Sequence, residues 1–179
     1  MSKTSLPSQI DVRKLAAKGA EISAETPVSQ LPRFVDMLAN DGSSIAVDLR
    51  FYTDDERFKR IDGVLRGNVE VYCQRCLEPM PLAVDTEFSL GIVWSEEDAK
   101  RLPSTLEPLI VGEEFVDLAD VVSEELILSM PYVSYHDPED CGQASNYTTD
   151  TEPSDSPVEA GEEKRDNPFK VLEQLKQDK

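Results

Sequence analysis

Ile45-Ala-Val-Asp-Leu-Arg-Phe51 (IAVDLRF) decides the fold class, because Ile45, Val47, Leu49 and Phe51 alternate with Ala46, Asp48 and Arg50. A period of two is that of a strand with one face on a core and the other in water. The following TDDER (53–57) reads as the turn out. Downstream, Phe58 to Ile61, Val64 to Tyr72 and Leu82 to Trp94 read as further strand segments, punctuated by Gly63, Gly67, Pro79, Pro81 and Gly91. Successive strands joined by short turns need no crossover helices, so the pattern predicts a mainly antiparallel curved sheet or open barrel rather than a parallel α/β sheet.

Helices fit around that sheet. Asp11 caps a predicted helix over 12–18 that ends at Gly19, and an extended piece over 20–26 follows. Leu31, Phe34, Val35 and Leu38 recur at helical spacing with Pro32 in the first turn. SEEDAKRL (95–102) reads as a short helix and 106–111 as a short strand. The strongest helix is 118–129, capped by Asp117, with Leu118, Val121, Val122, Leu126 and Ile127 on one broad face to pack on the sheet. Pro131 stops it. The fold class is therefore α+β.

The organisation expected is a globular domain over 1–142, a disordered acidic linker over 143–166 and a short helix over 167–179. The linker is nearly all Ser, Thr, Asp, Glu, Pro, Asn, Ala and Gly, too polar to offset chain entropy by burial. Asn167 and Pro168 then start an amphipathic helix whose stripe of Phe169, Leu172 and Leu175 reads as anchors for docking, on a partner groove or on its own domain.

All 3 cysteines and the 1 histidine fall into two close pairs, Cys73 with Cys76 (CQRC) and His136 with Cys141 (HDPEDC). Two short-spaced pairs of thiolate and imidazole donors make one tetrahedral set, so the four residues are the candidate metal ligands, with zinc the expected ion. The alternative is plain: Cys73 as a small apolar strand residue, Cys76 in a turn, and His136 and Cys141 on a polar loop. An odd number of cysteines, and a start (MSKTSLPSQI) without an apolar signal core, argue for a reducing, cytoplasmic setting.

A formal charge of −18 opposes a generic phosphate-binding surface. The charge is uneven. Residues 137–166 hold ten acids against Lys164 and Arg165. Locally the sign reverses over 1–18, with four bases against Asp11, and over 50–75, where Arg50, Arg57, Lys59, Arg60, Arg66 and Arg75 form a candidate RNA-binding set with Tyr72 for stacking. The same cations read equally as a solvated strand edge. No run of 18 apolar residues suggests a membrane span. Catalytic signatures are missing: CQRC precedes LEPMPL, whose prolines oppose the helix a redox C-x-x-C needs, and phosphate loops and nucleophile elbows do not occur. The chain reads as no enzyme and takes no small-molecule substrate.

VYCQRCLEPMPL, EPLIVGEEFVDLADVVSEELILSMPYVSYHD and the terminal NPFKVLEQLK, in this order, resemble the YceD family of large ribosomal RNA subunit accumulation proteins. The resemblance implies a non-enzymatic role in accumulating or processing large-subunit (23S) ribosomal RNA, with the precursor RNA or particle as partner. The alternative is an acidic adaptor that holds a basic ribosomal protein or assembly factor. Many relatives carry a second C-x-x-C-G where this chain has His136 and Cys141, so the second half of the ligand set departs from the family pattern.

Overall fold

In the computed structural model, which describes residues 6–112 and 115–142, five strands form one open sheet in the order β1-β2-β3-β4-β5. The elements run α1 (Val12–Lys18), β1 (Glu21–Pro27), a 3-10 turn (Val28–Gln30), α2 (Pro32–Val35), β2 (Ser44–Thr53), β3 (Lys59–Tyr72), β4 (Pro79–Val93), α3 (Glu96–Ala99), β5 (Glu107–Ile110) and α4 (Leu118–Ser129). The expected linker (143–166) and terminal helix with Phe169, Leu172 and Leu175 lie outside the described residues.

The first four strands pair antiparallel, β2 to β3 and β3 to β4 through short turns and β1 to β2 through the segment 28–43 that carries α2, and β5 adds parallel to β4 through Leu90↔Glu107 to Val93↔Ile110. The sheet is thus mixed. The parallel strand is possible because α3 and its flanking loops carry the chain back across the sheet edge before β5.

Alternation in β2 becomes burial: Ile45, Val47, Leu49 and Phe51 are at most 3% exposed, facing Ile61, Leu65 and Val69 of β3 on the same side. Val28, Leu31 and Phe34, with Leu118, Val122 and Leu126 of α4, close the core. α4 packs on α2 and β4, and an ion pair from Arg33 to Glu124 links the two helices.

Gly63 does not split β3 as the punctuation suggests. The strand runs unbroken past it, with Gly63 opposite Phe88, and a Cβ at Gly63 would enter the Phe88 ring. The ring fills the place of the missing side chain. The prolines likewise fall inside β4, opposite Glu70 and Tyr72. There β4 is the sheet edge, since β5 reaches only residues 90–93, and a proline costs no ladder bond on an open edge.

The helix at 31–38 is shorter than its periodicity suggests, a single α turn over Pro32–Val35. α1 and α4 match their caps: Asp11 accepts from the amides of Arg13 and Lys14, Asp117 accepts from Ala119 at 2.8 Å, and Gly19 closes α1 at φ 63°. Met130 is extended, as a residue before proline must be, and turns the chain from α4 towards 132–136. No described helix is long and apolar enough to cross a membrane.

Candidate metal centre

The two cysteine and histidine pairs, 59 residues apart in sequence, meet at one end of the sheet. β3 and β4 are joined by the turn Cys73–Glu78, closed by two backbone bonds: Cys73 donates to the Glu78 carbonyl and Leu77 to that of Cys73, both at 2.9 Å. The segment after α4 lies alongside, because Gln74 donates its amide to the Ser134 carbonyl at 2.9 Å. Tight turns over 137–141 bring Cys141 round, its amide bonded to Asp137 at 3.1 Å.

The donor atoms of Cys73, Cys76, His136 and Cys141 all lie within 4.8 Å of one another. Cys73 and Cys141 are buried, Cys76 and His136 half-buried. Cys76 Sγ and His136 Nδ1 are 3.3 Å apart, and His136 Nε2 faces the Pro79 carbonyl at 3.3 Å. A proton on Nε2 bonded to that carbonyl leaves the Nδ1 lone pair facing the thiols, the second-sphere arrangement of a ligating imidazole. Donors about 2.0–2.3 Å from a zinc ion stand roughly 3.3–3.8 Å apart, so the present spacing needs only a small contraction. The residues fit a tetrahedral ion.

The thiols are tuned apart. Burial works against the Cys73 thiolate, but the amides of Cys76, His136 and Arg75 point at its sulfur and outweigh burial, lowering its pKa to about 5. The His136 amide is 3.5 Å away. For Cys76, the amide of Glu78 pulls the pKa down, yet burial and the neighbouring Cys73 and Cys141 sulfurs prevail and hold it up. A Cys73 thiolate beside a Cys76 thiol held protonated is the state of a donor set that gains from a cation.

Leu77 completes the turn at φ 63°, the left-handed region. A leucine there costs roughly 1–2 kcal/mol relative to the right-handed region, a cost glycine avoids. Its side chain nevertheless stands 72% exposed.

The candidate RNA-binding cations do not gather. Arg50, Arg60 and Arg66 share the solvent face of the sheet, each beside a carboxylate: Glu21 at 4.0 Å, Asp54 at 3.7 Å and Asp85 at 3.1 Å. Arg57 sits in the β2–β3 turn at φ 70°, Lys59 stands 6.0 Å from the Trp94 ring, and Arg75 lies 5.0 Å over Tyr135 at the thiol end. Tyr72 is half exposed beside that end. Two features escaped the sequence: the strain at Leu77, where a glycine after the second cysteine would be the expected turn residue, and the exposure of Tyr132, Val133 and Tyr135. The signal for the latter was an apolar run without periodicity between a helix stop and a ligand pair.

Residues 61–176 match the family model described as large ribosomal RNA subunit accumulation protein YceD. A curated protein of that name from Haemophilus influenzae (strain ATCC 51907 / DSM 11121 / KW20 / Rd) is 32% identical over 179 residues, covering 99% of each chain. No solved structure matches.

Proposed function

This chain belongs to the YceD family of large ribosomal RNA subunit accumulation proteins, and from that premise we propose that it supports accumulation of large-subunit (23S) ribosomal RNA as a non-catalytic factor in the cytoplasm. Its partner is the precursor particle. The observation that carries the reading is the donor set: Cys73, Cys76, His136 and Cys141 place four ligand atoms within 4.8 Å of one another, the number a closed tetrahedral site takes. Structural zinc sites are closed in this way, whereas catalytic ones keep a position open for water or substrate.

The zinc, when bound, joins the β3–β4 turn to the segment 132–141. Its role is to hold that end of the molecule in one shape, so that the residues around it can serve as a contact surface. Direct RNA contact through the sheet face is the weaker reading, since Arg50, Arg60 and Arg66 are already beside carboxylates and their charge is offset before any phosphate arrives. The proposal extends to the tail, where 143–166 tethers and Phe169, Leu172 and Leu175 supply a second, weaker contact.

The test is genetic. A strain deprived of the protein should show a lowered ratio of large- to small-subunit ribosomal RNA, restored by the wild-type chain and only partly by Cys76→Ser. An unchanged ratio in the deprived strain would refute the role. Metal analysis of the reduced protein should find about one zinc per chain.

A further inference from the structure

Five of the ten exposed large hydrophobic side chains among the described residues stand at the thiol end: Tyr72, Leu77, Tyr132, Val133 and Tyr135. Tyr132 is 98% exposed. The bond from Gln74 to Ser134 sets the turn beside the 132–135 segment, and the half-exposed Tyr72 opposes Pro79, whose carbonyl faces His136. These side chains therefore stand at the same end of the sheet, on two adjoining segments. A soluble chain seldom exposes contiguous apolar surface without a partner for it.

Charge selects the partner. The stretches 70–79 and 130–142 that build this end carry five carboxylates, Glu70, Glu78, Asp137, Glu139 and Asp140, against Arg75. That guanidinium lies over Tyr135. An RNA strand would meet this field as a polyanion and be repelled. A second copy of the chain, at −18, would be repelled as well. A cationic protein segment with apolar side chains between its lysines and arginines meets both the carboxylates and the aromatic surface.

We infer that the patch around Leu77, Tyr132 and Tyr135 is a docking surface for a Lys/Arg-rich, leucine-bearing segment of a protein. This deepens the reading of the chain as a large-subunit factor, and rests on it only for where the natural partner is sought. Leu77 is the anchor. Its left-handed backbone would suit glycine, so the turn carries a leucine for its side chain rather than for the fold.

The experiment titrates the full-length, zinc-loaded protein with three fluorescent probes. They are a peptide of arginine, lysine and leucine, the same peptide with serine for leucine, and a single-stranded RNA of equal length. The leucine peptide should bind tightest, and Leu77→Gly should weaken it about tenfold, the scale of a buried anchor. The thermal midpoint of that variant should equal or exceed wild type. Tyr132→Ser, at a side chain already in water, should also weaken the leucine peptide and is independent of the turn. Neither variant should change binding of the serine peptide.

Equal binding of both peptides, or equal loss of both in the variants, would overturn the patch as an anchor site and leave only charge. RNA binding as tightly as the leucine peptide would overturn the choice of partner. No binding of any probe by wild type would also overturn the docking surface. These outcomes concern the patch alone. The ratio of ribosomal RNAs in the deprived strain decides the broader role separately.

Discussion

The solvent face of the sheet and the thiol end differ in what folding leaves unanswered. On the sheet face Arg50, Arg60 and Arg66 each meet a carboxylate, and Tyr52 donates its hydroxyl to Asp62 at 2.8 Å. At the thiol end five large apolar groups face water, Leu77 holds a left-handed backbone, and three thiols and an imidazole crowd together. Local rules are satisfied over the first surface and broken together over the second, which is why the proposal above places the working surface there.

The largest effect that would test this contrast is loss of the ion. Cys76→Ser should abolish zinc binding and lower the thermal midpoint by roughly 10 °C or more, because binding free energy at a structural site is folding free energy. Calorimetry of the two proteins with and without chelator checks it. Equal melting in all four samples would remove the metal from the account. Zinc retention should also depend on pH. Binding the ion requires all three thiolates and an unprotonated imidazole, including the Cys76 thiol whose pKa is held up, so protons compete with zinc and the ion is lost on acidification. Zinc content that stays constant from neutral pH into strong acid would contradict the ligand set.

A smaller loss is expected from the sheet. Gly63→Val forces a side chain into the Phe88 ring and should cost about 1–3 kcal/mol in denaturant unfolding, while leaving the zinc content unchanged. A simultaneous loss of zinc would show that the two regions are not independent.

The smallest effect has the opposite sign. Burial, then Glu107 and Glu124, raise the Glu125 carboxyl, so its ionised form weighs against the fold at neutral pH and the penalty fades as pH falls through the raised value. Glu125→Gln should therefore stabilise by up to about 0.5 kcal/mol at pH 7, with less gain in acid. A destabilised variant would mean that the carboxylate has a partner worth keeping.

These contrasts also explain what the sequence disclosed. Alternation in 45–51 and the caps Asp11 and Asp117 specified β2, α1 and α4 because the determining contacts are local or facial. The continuity of β3 through Gly63 was hidden, since the ring that covers the glycine comes from Phe88, 25 positions on. The parallel pairing of β5 was hidden too, being set by the return path through α3. At the site, spacing picked out the four residues whose donor atoms come together, but their meeting is accompanied by the bond from Gln74 to Ser134, which no local pattern encodes. The basic residues close in sequence divide in space among the sheet face, a turn, the Trp94 edge and the thiol end, and on the sheet face Glu21, Asp54 and Asp85 stand beside Arg50, Arg60 and Arg66.

The central claim, that the thiol end rather than the sheet face is the working surface, is tested most directly in cells that depend on a supplied copy of the chain. The measurement is the ratio of large- to small-subunit ribosomal RNA with Leu77→Gly and Tyr132→Ser combined, beside Arg50→Gln, Arg60→Gln and Arg66→Gln combined, at equal protein levels. The first set should lower the ratio towards that of cells lacking the protein, and the second should leave it near wild type. A normal ratio with the first set and a lowered one with the second would contradict the account and return the function to the arginines of the sheet.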